Sequence, residues 1–139
     1  DNHYHLILRE LEPGGMRKLM KRVQIGYAMY FNRKYLRRGP VFDRRFEPTP
    51  IADLRHALNS IAYTHLNHVV DQLDHEHTGH RSMIGAASRH WIDSETGLRL
   101  FGDLAGYKRF LNREGPAIID RKLRKYGMCR RTYRYRQMP

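Results

Sequence analysis

Apolar and polar residues alternate at the start of the chain, from Asn2 to Leu8. Alternation of this kind predicts a β-strand, and it puts His3 and His5 on the same face. Two histidines so placed lie roughly 6.5–7 Å apart at the backbone, close enough to share one metal ion. A half-buried edge strand with two solvent-facing histidines is the simpler alternative. A second strand, with mixed alternation, is predicted from 41 to 47.

A helical period replaces the alternation in the segment between these strands. Apolar residues at intervals of three and four predict an amphipathic helix from about 16 to 34, packed on a sheet with its basic side outward. Lys18 and Arg22 lie on that basic side. A further helix is predicted from about 50 to 70, because Thr49-Pro50 supplies an N-cap and a first-turn proline.

Tyr63 stands apart from the apolar side of this further helix. At 100° per residue it falls about 140° from Leu58, on the side that also carries Asn67. Tyr63 and Asn67 are four residues apart, so they are neighbours on one helix face. A tyrosine and an amide in register on a polar face form a candidate site. A surface tyrosine that packs on its own helix is the alternative.

Beyond residue 70 the chain becomes polar, and 71–80 is predicted to be a loop. The loop holds three histidines at a spacing that zinc sites use, although a solvated loop is the simpler interpretation: His75, His77 and His80. Short helices are predicted around Tyr107 and from 117 to 126. Since two strands make a poor sheet, we expect this chain to be a fragment that lacks upstream strands.

Positive charge is the strongest signal in the composition. The net charge is +12 at pH 7, and of 26 Lys and Arg residues ten fall within 16–45 and eight within 121–139. A patchy positive charge of this size predicts a polyanionic partner, most often nucleic acid. The candidate contacts, three of them in a tail that interleaves aromatic and basic residues, are Lys18, Arg22, Arg44, Arg45, Arg130, Arg131 and Arg134.

Cysteine content and hydropathy bear on the compartment. The single cysteine, Cys129, excludes an intramolecular disulfide and favours a reducing environment. No apolar run approaches the roughly 18–20 residues of a membrane span, and no signal-peptide pattern is present. The sequence therefore predicts a cytoplasmic protein with no membrane association.

Four motifs occur along the chain in a set order. They are Asn-His-Tyr-His-Leu-Ile-Leu at 2–8, Tyr-Ala-x2-Phe-Asn at 27–32, Gly-x-Val-Phe-Asp-x-Arg-Phe at 39–46 and Tyr-x-His-Leu-Asn at 63–67. Together they resemble the single-tyrosine HUH transposases, in particular the REP-associated tyrosine transposases of bacteria. Two weaker likenesses follow, at Ser82-x2-Gly85 and at Trp91-Ile92-Asp93.

The resemblance implies an α+β fold. In the family an antiparallel sheet is flanked by helices and is related to ferredoxin-like domains. Here the sheet would be incomplete, with a catalytic domain at 1–73 and a basic, helical C-terminal extension at 74–139. The sequence departs from the family in two ways: His68 stands where proline is usual, and the upstream strand, helix and strand are absent.

The resemblance also implies a chemistry. Tyr63 would be the nucleophile, and His3, His5 and Asn67 would hold a divalent ion, Mg²⁺ or Mn²⁺. Family members cut single-stranded DNA near hairpins and keep a 5′-phosphotyrosine link until a 3′-OH attacks it. A bound metal would polarise the scissile phosphate, and the imidazoles tilt the preference toward Mn²⁺.

The sequence is therefore compatible with three functions. The first is a metal-dependent enzyme that nicks and joins single-stranded DNA, with a homodimer as one possible assembly. The second is a catalytically inactive module, derived from a transposase, that binds a DNA hairpin. The third is a histidine-rich structural protein that binds zinc.

Overall fold

The computed structural model describes residues 4–71 and 78–125. Over these residues the chain forms five helices: α1 (Gly15–Lys34), α2 (Leu54–Asp71), α3 (His80–Met83), α4 (Ser94–Leu100) and α5 (Leu104–Lys125). The chain divides into two compact units. One comprises residues 4–6 together with the described residues from 51 to 71 and from 78 to 125, and the other is Ile7–Pro50.

The predicted α+β fold with an antiparallel sheet is wrong, because the described residues contain helices and no β-strand. Residues 4–8 and 41–47, which were both expected to be strands, have an irregular backbone. Alternation indicates only which faces a strand would have. A strand also needs a neighbour to bond its N–H and C=O groups, and no described segment supplies one.

Helix α1 confirms the first predicted helix to within one residue at its start, whereas the predicted packing against a sheet is wrong. Gly14 precedes it with a φ of 78°, a left-handed conformation that glycine adopts without strain. Of its 20 residues only Met20 is buried. The segment after α1 is tied back by Asn32, whose Nδ2 donates to the carbonyl of Gly39 over 2.9 Å.

Helix α2 begins at Leu54, later than the predicted start at Thr49-Pro50. Asp53 determines this start, because its carboxylate accepts a hydrogen bond of 2.7 Å from the backbone N–H of His56. Such a bond satisfies one of the amides that a helix leaves unpaired in its first turn. The predicted helix is confirmed in type and in most of its length, but its N-cap was misassigned.

Helix α5 is one continuous helix of 22 residues where two short ones were predicted. Pro116 lies inside it, so the proline interrupts one backbone hydrogen bond without ending the helix. The buried residues of α5 pack against α2 and form the main core, which consists of Ile61, Ala62, Leu66, Met83, Tyr107, Leu111, Ile119 and Leu123. Helix α2 lies before the predicted boundary at residue 73 and α5 after it, and both belong to one unit.

Close approach of α2 and α5 depends on Gly115. A Cβ at this position would lie 3.3 Å from Cδ1 of Leu66, tighter than ordinary van der Waals contact. None of the helices in the described residues combines the length and apolar character that a membrane span requires.

Candidate functional site

Tyr63 lies in the middle of α2 and is half-buried. The imidazole of His5 stands at its ring, with 5.4 Å between the ring centroids and an angle of 78° between the planes. This is the edge-to-face arrangement that aromatic pairs prefer. His5 and Tyr63 are therefore in direct contact. Both were predicted from the sequence to be site residues, and they lie near opposite ends of the predicted catalytic domain at 1–73.

Asn67 follows Tyr63 by one helical turn and contacts Lys122, which was not among the site residues predicted from the sequence. The ammonium of Lys122, in the last turn of α5, donates to Asn67 Oδ1. The same Nζ lies 3.4 Å from the backbone oxygen of Asn67 and 5.9 Å from the centre of the Tyr63 ring. We call His5, Tyr63, Asn67 and Lys122 the Tyr63 cluster.

Lys122 is buried, with only 3% of its surface exposed. Its position follows from the period of α5, since Ile119 precedes it by three residues, Leu123 comes directly after it, and both are buried. Near the C-terminal end of α2 the helix dipole favours positive charge. The position of Lys122 within this apolar face is a sequence signal of its burial. It was not used as one, because lysines are seldom buried.

The Tyr63 cluster contains the kinds of donor atom that the predicted divalent metal site needs, but not in an arrangement that suits an ion. An imidazole and an amide oxygen suit Mn²⁺ or Mg²⁺, but Asn67 Oδ1 already accepts a hydrogen bond from an ammonium. A divalent ion on that oxygen would be repelled by the adjacent charge of Lys122. His3 lies outside the described residues, and within them no group of three or more His, Cys, Asp or Glu side chains could hold a metal. Within the described residues, His5 and Asn67 as arranged therefore do not form a site for the ion.

The predicted nucleic-acid contacts of the Ile7–Pro50 unit are exposed. Lys18 and Arg22 project from α1, and Lys18 pairs with Glu12 at 3.4 Å. Arg44 and Arg45 are also exposed, but on an irregular segment rather than on the expected strand. The remaining predicted contacts fall outside the described residues: Arg130, Arg131 and Arg134.

A second polar cluster joins three helices around Tyr107, which is fully buried. Its hydroxyl lies 2.8 Å from Nδ1 of His65 and 2.7 Å from Nδ1 of His80. The hydroxyl has one proton, so it donates to one imidazole and accepts from the N–H of the other. Burial raises the pKa of the Tyr107 hydroxyl well above its ordinary value.

This Tyr107 cluster bears on the predicted zinc site. Nδ1 of His80 is engaged by the tyrosine, and His80 lies in α3 rather than in a loop. The other two histidines of that motif, His75 and His77, lie outside the described residues.

No family model, curated protein or solved structure matches this chain.

Proposed function

We propose that this protein nicks and rejoins single-stranded DNA, with Tyr63 as the nucleophile that becomes linked to a 5′-phosphate. One observation supports this most: a phenol, an imidazole and a buried ammonium meet at one place although they come from the N-terminal segment, α2 and α5. These are three of the groups that phosphoryl transfer to a tyrosine needs. They are a nucleophile, a proton acceptor and a positive charge.

The proposed cleavage step is a displacement at phosphorus. Tyr63 Oη attacks the phosphate, the bond from phosphorus to the 3′ oxygen breaks, and the 3′ oxygen leaves as a hydroxyl after taking a proton from water. Phenols ordinarily ionise near pH 10, so a neutral phenol is a weak nucleophile. His5 is the candidate acceptor for the phenolic proton. The charge of Lys122 would stabilise both the phenolate and the charge that develops on the phosphoryl oxygens.

The reverse step accounts for joining. A 3′-OH attacks the phosphotyrosine, the new phosphodiester forms, and Tyr63 leaves as a phenolate that takes back a proton. A phenolate is a reasonable leaving group, so the linkage keeps the energy of the broken phosphodiester. This reversibility favours strand transfer over simple hydrolysis.

The wider proposal concerns the partner and the setting. The net charge of +12 supports binding to a polyanion. In keeping with the resemblance noted in the sequence, the substrate would be single-stranded DNA with an adjacent hairpin, handled in the cytoplasm by a monomer or a homodimer. Mg²⁺ or Mn²⁺ as cofactor stays a prediction, and none of the steps above depends on it.

A second candidate function is a nucleic-acid-binding module without catalysis. The hydrogen bond from Lys122 to Asn67 favours it, because it engages the amide oxygen that the resemblance assigns to a metal. Such a module would bind DNA in a salt-dependent manner and would form no covalent product.

The test is to incubate the full chain with hairpin-bearing single-stranded DNA labelled at either end, in Mg²⁺, in Mn²⁺ and in chelator. Denaturing gels reveal a covalent protein–DNA product, and mass spectrometry locates the modified residue. The proposed enzyme yields a nucleotide linked through its 5′-phosphate to Tyr63. An adduct on another residue contradicts the mechanism, and DNA binding with no adduct under any condition favours the binding module.

Replacing Lys122 with methionine should impair cleavage without destabilising the fold. Burying an ammonium costs several kcal/mol, and each hydrogen bond that the ammonium donates, such as the one to Asn67, offsets about 1.5–3 kcal/mol of that cost. We therefore expect the free energy of unfolding to change by less than about 1 kcal/mol, or to rise. The rate of adduct formation should fall by about 10- to 100-fold, since a positive charge beside the phenol is lost.

Lys108→Met is the matched control, because Lys108 is an exposed lysine on the same helix. Urea unfolding and the adduct assay are applied to both variants. A loss of several kcal/mol in Lys122→Met, together with unchanged adduct formation, would give Lys122 a purely structural role.

A further inference from the structure

A groove of about 390 Å³ lies in the segment from α3 to the start of α4, apart from the Tyr63 cluster. Its lining is rich in hydrogen-bond donors. Three serine hydroxyls contribute, with one guanidinium and one imidazole: Ser82, Ser88, Ser94, Arg89 and His90. None of the described residues that line it is acidic.

Ser82 gives the groove its clearest sign of a ligand. Only 8% of this residue is exposed, and its Oγ has no hydrogen-bond partner within the described part of the chain. A buried hydroxyl without a partner has given up its hydrogen bonds to water and gained none in return, so proteins seldom leave one in place. The Oγ has almost no exposed surface as it stands, so the Ser82 side chain must rotate toward the groove before an acceptor atom there can supply the missing bond.

Donors of this kind select an anion with several oxygens. Serine hydroxyls and a guanidinium all donate to phosphate, and charge-assisted bonds to phosphate are about twice as strong as neutral ones. The nearest carboxylate in sequence, that of Asp93, accepts a bond of 2.9 Å from the backbone N–H of Thr96 as the N-cap of α4. It does not line the groove.

Trp91 favours a nucleotide over a free phosphate as the ligand, because its exposed ring can stack on a base. It follows two lining residues in sequence, 63% of it is exposed, and its ring centre lies 5.9 Å from Cζ of Arg89. An exposed flat ring beside a cation is the arrangement on which bases of single-stranded nucleic acids stack. Phosphate recognition and base stacking are thus available side by side.

We infer that this groove binds one phosphodiester of single-stranded DNA while a neighbouring base stacks on Trp91. The inference rests on the proposed function for the identity of the polymer. The groove would hold the strand at a second point, so that a substrate engaged at Tyr63 is also anchored between α3 and α4.

Trp91 is the only tryptophan in the chain and lies beside Arg89 of the groove, so selectively excited tryptophan fluorescence reports on this neighbourhood. The Tyr63→Phe variant of the full chain is titrated with an unstructured oligothymidylate, which separates binding from any covalent reaction. We expect saturable quenching, which inorganic phosphate at matched ionic strength does not reproduce. Equal quenching by inorganic phosphate would overturn the assignment to DNA, and no quenching by the oligonucleotide would overturn the site.

Two substitutions in the groove sharpen the test. Ser82→Ala should weaken oligonucleotide binding by about threefold to tenfold, although it should not lower the unfolding midpoint of the DNA-free protein. Arg89→Gln should weaken binding by about tenfold. Arg99→Gln is the control, because Arg99 is an exposed arginine on α4 that pairs with Glu95 at 3.4 Å.

The outcomes separate the groove from the catalytic proposal. Quenching that Ser82→Ala weakens, with no adduct at Tyr63 in the unmodified chain, would support the groove and reject the catalytic proposal. An adduct at Tyr63 with affinities unchanged in both groove variants would do the opposite. Equal losses in Arg89→Gln and Arg99→Gln would show only a general effect of charge and would overturn the groove.

Discussion

Tyr63→Phe should abolish the covalent protein–DNA product, with a fall of at least about a thousandfold in nicking. Phenylalanine keeps the ring that packs against His5 and lies near the ammonium of Lys122. It removes only the oxygen that would attack phosphorus. Binding of the uncut oligonucleotide should therefore stay within about twofold of the unmodified protein, because most affinity for single strands comes from phosphate contacts and stacking.

The measurement is a denaturing gel with end-labelled DNA, accompanied by a gel shift of the same samples. Tyr27→Phe serves as the control, since Tyr27 is an exposed tyrosine of α1 with no expected part in the chemistry. Undiminished cleavage in the Tyr63 variant would remove this residue from the mechanism.

Tyr107→Phe should lower the free energy of unfolding by about 2–4 kcal/mol. The substitution leaves the ring in the core but takes a hydrogen-bond partner from each of two imidazoles, those of His65 and His80. Each buried polar atom that loses a partner costs about 1–3 kcal/mol. Urea unfolding near pH 7.5 measures the loss, and Tyr27→Phe should change stability by less than about 0.5 kcal/mol. Equal effects of the two substitutions would contradict a structural role for the Tyr107 hydroxyl.

The stability difference between the unmodified chain and Tyr107→Phe should also depend on pH. Burial raises the pKa of Tyr107 in the folded protein, while the unfolded chain ionises near the ordinary value of about 10. The unfolded state alone releases this proton as the pH rises past that value, so the contribution of Tyr107 is complete below about pH 10 and declines above it. The advantage over Tyr107→Phe should shrink by up to about 1.4 kcal/mol for each pH unit.

Helices α1 and α2 were largely predictable from the sequence, whereas α3 and α4 were not predicted and the two predicted strands are wrong. For α1 the apolar period and the break at Gly14 and Gly15 give both ends to within one residue. The histidine segment shows alternation that is equally clear, yet the described part of it forms no strand. A helix bonds its own backbone, whereas a strand depends on a neighbour that no local pattern can supply.

Two errors in the helices have local causes. Thr49-Pro50 and Asp53 are both acceptable start signals, and the side chain of Asp53 is the one that reaches an amide of α2. Two short helices were predicted, around Tyr107 and from 117 to 126, but the apolar face of α5 continues across Pro116 from Leu111 to Ile119. Burial of that face outweighs the loss of one hydrogen bond.

The candidate site was predictable only in part. Tyr63 could be selected as a candidate from the sequence because it lies off the apolar stripe of its helix. The structure places it against His5. The chemical roles of both residues stay predictions. Lys122 could not be placed from local pattern alone, because its contact with Asn67 joins positions 55 residues apart in the chain. The packing of α5 on α2 determines that Lys122 is the cation that contacts the Asn67 side chain.

That same separation affects the nascent chain. At a synthesis rate of about 5–20 residues per second, α2 is made roughly 3–11 s before the end of α5 exists to cover it. During this interval Ile61, Ala62 and Leu66 lack the α5 residues that cover them in the folded chain, so their apolar surface is open to other molecules. Holdase chaperones would recognise such a surface, and neighbouring nascent chains would associate through it. From the arrangement of α2 and α5 we therefore expect production in cells to depend on translation speed and on chaperone supply.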